Sequence, residues 1–115
     1  MKRTGAIALL FLTSCGGGSS EGAQHEAWVN VDRLNRRTCP GETCGVVGQY
    51  FLRDQASVFE EQDGWARVSR YYAALCEDGR NEYVDTGNDR CDLDNEVVDG
   101  RFAEWVAARF LLRGS

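Results

Sequence analysis

Five cysteines in a chain of 115 residues set the terms on which it can fold. Four of them, Cys39, Cys44, Cys76 and Cys91, lie within residues 28–113, a stretch short enough that apolar burial alone leaves a domain marginal. Small exported domains make up the shortfall with disulfides or a structural metal. An even set of four is expected to form two disulfides, and three pairings exist. Cys39 with Cys44 and Cys76 with Cys91 is the favoured pairing, because each pair brackets a turn-rich segment and closes a local loop. In the chain-entropy picture the 76–91 loop contributes about 3 kcal/mol and the shorter 39–44 loop less. Zinc is the competing use, but structural zinc sites usually carry a close Cys-x-x-Cys pair or histidines, and the single histidine, His25, precedes residue 28. No metal or cofactor is expected.

The fifth cysteine stands in different company. Lys2 and Arg3 make a positive start, and residues 6–12 (Ala-Ile-Ala-Leu-Leu-Phe-Leu) form an apolar run too short to span a bilayer. Residues 1–14 are therefore expected to be an export signal. Leu12-Thr13-Ser14-Cys15 resembles the bacterial lipobox, in which small residues precede a cysteine that is diacylated before the signal is removed. The resemblance implies that Cys15 is lipidated and becomes the mature N-terminus, with an ordinary free thiol as the alternative. Gly16-Gly17-Gly18-Ser19-Ser20 is polar and unable to pack, so residues 15–27 are expected to tether a domain to a membrane facing the periplasm. By similarity to Gram-negative lipoproteins, Gly16 rather than Asp after the cysteine implies sorting to the outer membrane.

The formal net charge of −5 becomes more negative once Lys2 and Arg3 leave with the signal. Nucleic acid is excluded as a partner, since phosphate binding needs a basic surface that releases counterions. An anionic membrane surface would repel the domain, so attachment is expected through lipid and not through charge.

Residues 28–113 read as β-structure. Val29 and Val31 alternate with polar residues and suit an opening strand; 36–45 reads as a loop. Val46-Val47, residues 56–60 and residues 66–68 are short β segments, and Asp63-Gly64 supplies the signal of a tight hairpin. Period-two alternation places Ala66 and Val68 on one face, with Val68 in the core, and Trp65, Arg67 and Ser69 on the other. Trp65 then serves as a lid over the barrel edge or as part of a binding surface. Residues 71–100 are rich in Asp, Asn and Gly and read as an insertion carrying the second cysteine pair. Trp105-Val106, a turn at 107–109 and a strand at 110–112 close the chain, with a helix as the alternative because Ala and Leu favour it.

Leu34-Asn35-Arg36-Arg37-Thr38-Cys39-Pro40, followed by Cys44-Gly45-Val46-Val47-Gly48, resembles the opening of bacterial SH3-like (SH3b) domains. Asp63-Gly64-Trp65-Ala66-Arg67-Val68 resembles that family's Gly-Trp-x-x-Val hairpin, and Trp105-Val106 with Leu111 its closing strand. The departures are Arg36 where the family prefers an apolar residue, Cys39 for Gly, Glu104 for Gly, and the 71–100 insertion. The resemblance implies an all-β fold, a small SH3-like barrel of five or six strands that binds or targets and does not catalyse.

The residues agree on the last point. Nucleophilic catalysis needs an activated Ser, Cys or Lys beside a base; the cysteines are committed to lipid and disulfides, and His25 falls in the tether. Asp85, Asn88, Asp89, Asp92, Asp94, Asn95, Glu96 and Asp99 crowd the insertion as oxygen ligands suited to calcium, but their spacing is not that of an EF-hand, and a solvated acidic loop is the default. Tyr50, Trp65, Tyr71, Tyr72 and Tyr83 are the aromatic residues least demanded by a core. Tyr50, Trp65, Tyr72 and Tyr83 are the candidate binding residues, since an apolar ring with a polar tip suits peptide or glycan contact. The expected function is a non-enzymatic, lipid-anchored envelope module recognising peptidoglycan peptide or an envelope protein. The alternatives are an accessory subunit of an envelope complex and a periplasmic inhibitor or immunity-type protein whose 71–100 loop plugs a target.

Overall fold

The computed structural model describes residues 21–114. The expected signal at 1–14, Cys15 and the Gly/Ser run at 16–20 lie outside the described residues. From His25 onward the chain is built of short strands and 3-10 turns, and no helix of the described residues is long and apolar enough to cross a membrane.

Two sheets carry the main core. Strands β1 (His25–Val29), β2 (Arg33–Arg37), β3 (Val46–Phe51), β4 (Gln55–Val58), β5 (Glu60–Gln62) and β6 (Trp65–Arg67) follow one another in the first half of the chain. Then come β7 (Tyr72–Ala73), β8 (Cys76–Glu77), β9 (Arg80–Asn81), β10 (Arg101–Phe102), β11 (Trp105–Ala107) and β12 (Leu111–Arg113). One sheet has the order β3-β2-β11-β6-β5 and the other β12-β1-β4. The all-β class is as expected, but the hydrogen bonding does not close: these are two open sheets and not one continuous barrel ladder. The chain passes from one to the other at 30–32, at 51–55, at Phe59 and through the 3-10 turn Ala108–Phe110.

Alternation explains which faces meet. Ala27 and Val29 of β1, Leu34 of β2, Ala56 and Val58 of β4, Ala66 of β6 and Val106 of β11 are buried together with Val68, while their strand neighbours point away. The alternation begins earlier than the valines alone suggest. Ala27 supplies the first inward position, so His25, Glu26 and Ala27 belong to the sheet although composition assigns 15–27 to the tether; Val31 packs on the core from outside any strand. Residues 33–37, read in part as loop, form β2, paired with β3 along its whole length. The helical alternative at the C-terminus gives way to strand, 3-10 turn and strand.

The hairpin joining β5 to β6 turns at Asp63 (φ 52°) and Gly64 (φ 86°), the left-handed pair that an Asp-Gly turn requires. The same device recurs twice in the 71–100 segment, at Asp78-Gly79 between β8 and β9 and at Asp99-Gly100, where Val98 bridges Arg101. That segment leaves and rejoins the domain through a stem in which β7 pairs antiparallel with β10, placing Tyr72 opposite Phe102. It has a core of its own, with Ala74, Val97 and Phe102 buried and Tyr72, Val47 and Cys91 packed against them.

Disulfides join Cys39 to Cys44 and Cys76 to Cys91. The first has both cysteines buried and closes a loop whose tip, Glu42 and Thr43, is exposed, and Asn95, in the 3-10 turn Leu93–Asn95, fastens the insertion onto the residues flanking it. The Asn95 carbonyl accepts from Thr38 Oγ1 at 2.8 Å and from the Gly45 backbone at 3.2 Å, while its amide donates to the carbonyls of Asn88 and Arg90. Every hydrogen-bonding position of this fully buried side chain is used.

Candidate functional site

A cleft of about 180 Å³ opens on the side of the five-stranded sheet that faces away from the main core. Arg33, Asn35 and Arg37 occupy alternate positions of β2 and line the cleft together, with the two arginines about 13 Å apart along the strand. Trp65 stands directly opposite Ala107 in the β6–β11 ladder, and both line the same cleft. The 3-10 turn Ala108–Phe110 adds Arg109 and Phe110, and the Cys39–Cys44 loop adds Glu42. Arg37 donates to the Cys44 carbonyl at 2.9 Å, which fixes this loop against the sheet.

The charges of this cleft are unbalanced. Among the described residues the arginines with carboxylate partners are Arg36, Arg67, Arg80 and Arg90, all outside it. Arg33 lies over the Phe51 ring and Arg109 over the Phe110 ring, contacts that orient a guanidinium without neutralising it. A chain with a net charge of −5 thus gathers three arginines, none in an ion pair among the described residues, against a single glutamate around one indole.

The three candidate tyrosines sit elsewhere. Tyr50 is half-buried against the main core with the Arg36 guanidinium 5.2 Å from its ring centre; burial raises the pKa of its phenol and Arg36 opposes the rise. Tyr72 packs on Phe102 at 4.7 Å between ring centres and on Tyr83 at 5.6 Å, edge to face. Its hydroxyl donates to Glu104 at 2.5 Å. Burial, and then this bond to an anion, drives the Tyr72 phenol far above the ordinary tyrosine range. Tyr72 is therefore held within the second core, Tyr83 at its margin is 40% exposed, and the cleft at Trp65 contains no tyrosine.

Arg67, on the sheet face that carries Trp65, is buried, at 2% exposed. Glu21 and Glu60 accept from its guanidinium, Ser69 offers a backbone carbonyl, and the rings of Phe59 and Tyr71 lie 5.5 Å and 4.8 Å from it. Burial raises the pKa of Tyr71, and Arg67 opposes the rise.

Two of the acidic residues of the insertion, Asp89 and Asp92, have arginine partners. Asp89 binds Arg80, Asp92 binds Arg90 and accepts from the Asp94 backbone, and Asn88 and Asn95 hold the loop together. The Arg90 guanidinium beside Asp92 lowers the pKa of that carboxyl. Among the described residues no three His, Cys, Asp or Glu side chains converge as metal ligands.

Comparison with family models, with curated proteins and with solved structures finds no match to the chain. The SH3-like resemblance rests on its ordered motifs alone. Residue types drew attention to the aromatic residues and missed Arg33, Arg37 and Arg109. The alternation Arg33-x-Asn35-x-Arg37 was the available signal, hidden because Arg36 between them is also cationic and faces the other way, toward Tyr50 and Glu104.

Proposed function

We propose that this chain is a non-enzymatic, lipid-anchored envelope module on an SH3-like domain, and that it recognises a peptidoglycan peptide through the cleft at Trp65. The observation that carries this reading is the cleft itself: an indole beside guanidinium groups and an amide, held by strands and a disulfide-closed loop, suits a short peptide group better than bulk solvent. Two disulfides fit an oxidising compartment outside the cytoplasm. The ordered SH3-like motifs support a binding module, and the two sheets around one core are compatible with that fold family.

The test is cosedimentation of the oxidised protein with purified peptidoglycan sacculi, with Trp65→Ala as comparison and near-ultraviolet circular dichroism to establish that the variant is folded. Retention by the protein and loss in the folded variant are expected. Failure of the protein to sediment would overturn wall recognition and direct attention to envelope proteins captured by crosslinking.

A further inference from the structure

We infer that the Trp65 cleft binds a single carboxylate on its ligand, gripped by Arg33 and Arg109 while Asn35 and the indole of Trp65 contact the adjoining peptide group. This deepens the wall-peptide reading and rests on it. Arg33, Arg37 and Arg109 reach the cleft from β2 and from the 3-10 turn Ala108–Phe110, and none has a carboxylate partner among the described residues. Cations collected in a recess of an acidic domain repel one another, and a carboxylate entering between them relieves that repulsion. Guanidinium groups present planar forks of N–H donors that match a carboxylate's two oxygens.

The surroundings narrow the class of anion. A volume of about 180 Å³ admits a side-chain-sized group and not a folded surface or a nucleic-acid strand. Glu42 stands at the same cleft and disfavours a second negative charge, as does the net charge of −5. Polyphosphates and polyanions are selected against, whereas one carboxylate is not. Trp65, Ala107 and Phe110 offer apolar contact to the carbon skeleton that carries the acid. Arg37 is already engaged with the Cys44 carbonyl, which leaves Arg33 and Arg109, both exposed, as the gripping pair.

The experiment titrates the nitrogen-15-labelled full chain, oxidised and in neutral detergent, with acetyl-Ala-Glu-Ala-amide, with the neutral acetyl-Ala-Gln-Ala-amide and with inorganic phosphate. The Trp65 indole and the arginine Nε–H signals are followed. The acidic peptide is expected to shift them saturably and to bind at least about tenfold more tightly than either other probe. Arg33→Gln and Arg109→Gln are each expected to weaken it about tenfold, and Arg53→Gln, outside the cleft, to change nothing. Equal binding of the two peptides, phosphate binding as tight as the acidic peptide, or no saturable shift would overturn the inference.

Sacculus retention separates the two ideas. If the Arg33→Gln/Arg109→Gln protein is retained on sacculi while Trp65→Ala is not, carboxylate recognition fails and wall binding stands. If the acidic peptide binds at Trp65 but sacculi are not retained, wall binding fails and the carboxylate site stands.

Discussion

The Arg36 guanidinium donates to Glu104 Oε1 at 2.5 Å, and Tyr72 donates to the other oxygen of the same carboxylate. Arg36 and Glu104 are sixty-eight residues apart in the chain. Either residue alone would leave a charge in a partly buried place; together with Tyr72 they form one partner set that joins β2, the approach to β11 and the stem of the insertion. Gly48 belongs to the same arrangement, since a Cβ there would run into the Arg36 guanidinium.

This coupling is measurable. Glu104→Ala leaves Arg36 and Tyr72 without their acceptor and is expected to destabilise the fold by about 1–3 kcal/mol, less than a fully buried pair because the side chains remain partly wet. Arg36→Met combined with Glu104→Ala should cost less than the sum of the single changes, with a coupling of roughly 1 kcal/mol in urea unfolding. Strict additivity would show that the two positions are independent.

Asn95 was legible as a residue type and illegible as a role. Grouped with the acidic residues of the insertion it looked like a metal ligand; buried, it is the peg on which Thr38, Gly45, Asn88 and Arg90 hang. Asn95→Ala removes all four bonds and leaves buried donors and acceptors unsatisfied. A loss of about 3 kcal/mol or more is expected, seen as a lower Tm with unchanged far-ultraviolet circular dichroism at low temperature. Asn95→Asp should be nearly as damaging, because it lacks the donor for the Asn88 and Arg90 carbonyls.

What could be read from the sequence follows the range of the interactions. Hairpin turning at Asp63-Gly64, inward placement of Val68 and the strand at Trp105-Val106 all depend on neighbours a few residues away, and local pattern carries them. Asp78-Gly79 and Asp99-Gly100 carried the same hairpin signal but lay in a segment too polar to suggest strands, because its small core of Ala74, Val97 and Phe102 draws on residues far apart. The burial of Arg67 depends on Glu21 and Glu60, which alternation within β6 cannot reveal. The cleft at Trp65 was half visible: the indole was singled out, but the cations around it come from two elements far apart in sequence, β2 and the 3-10 turn Ala108–Phe110.

Alkaline pH should loosen the domain through its tyrosines. Burial raises the pKa of Tyr50, Tyr71 and Tyr72 above their ordinary value of 10.0, most strongly for Tyr72. A raised folded pKa means that the neutral phenol favours the folded state fully below about pH 10 and that this contribution is lost as pH climbs beyond it. Unfolding midpoints are expected to fall above about pH 10, and Tyr72→Phe should flatten that fall. In ultraviolet titration, Tyr72→Phe should also remove the last phenol to ionise; an unchanged titration would contradict the bond to Glu104.

The two disulfides should part in opposite orders of ease and consequence for the cleft. Cys39 and Cys44 are 5% and 4% exposed, while Cys76 is exposed and Cys91 half-buried, so a thiol reductant is expected to open the 76–91 bridge first. Loss of that longer loop costs about 3 kcal/mol in the chain-entropy picture, and Cys76→Ser/Cys91→Ser should lower Tm by more than about 10 °C. Cys39→Ser/Cys44→Ser releases a shorter loop with a smaller entropic effect, yet that loop carries Glu42 and is fastened by Arg37 beside Trp65. This second pair of substitutions should therefore displace the Trp65 indole signal in nitrogen-15 spectra while the first leaves it in place. The reverse pattern would show that the cleft is shaped by the insertion and not by the disulfide loop next to it.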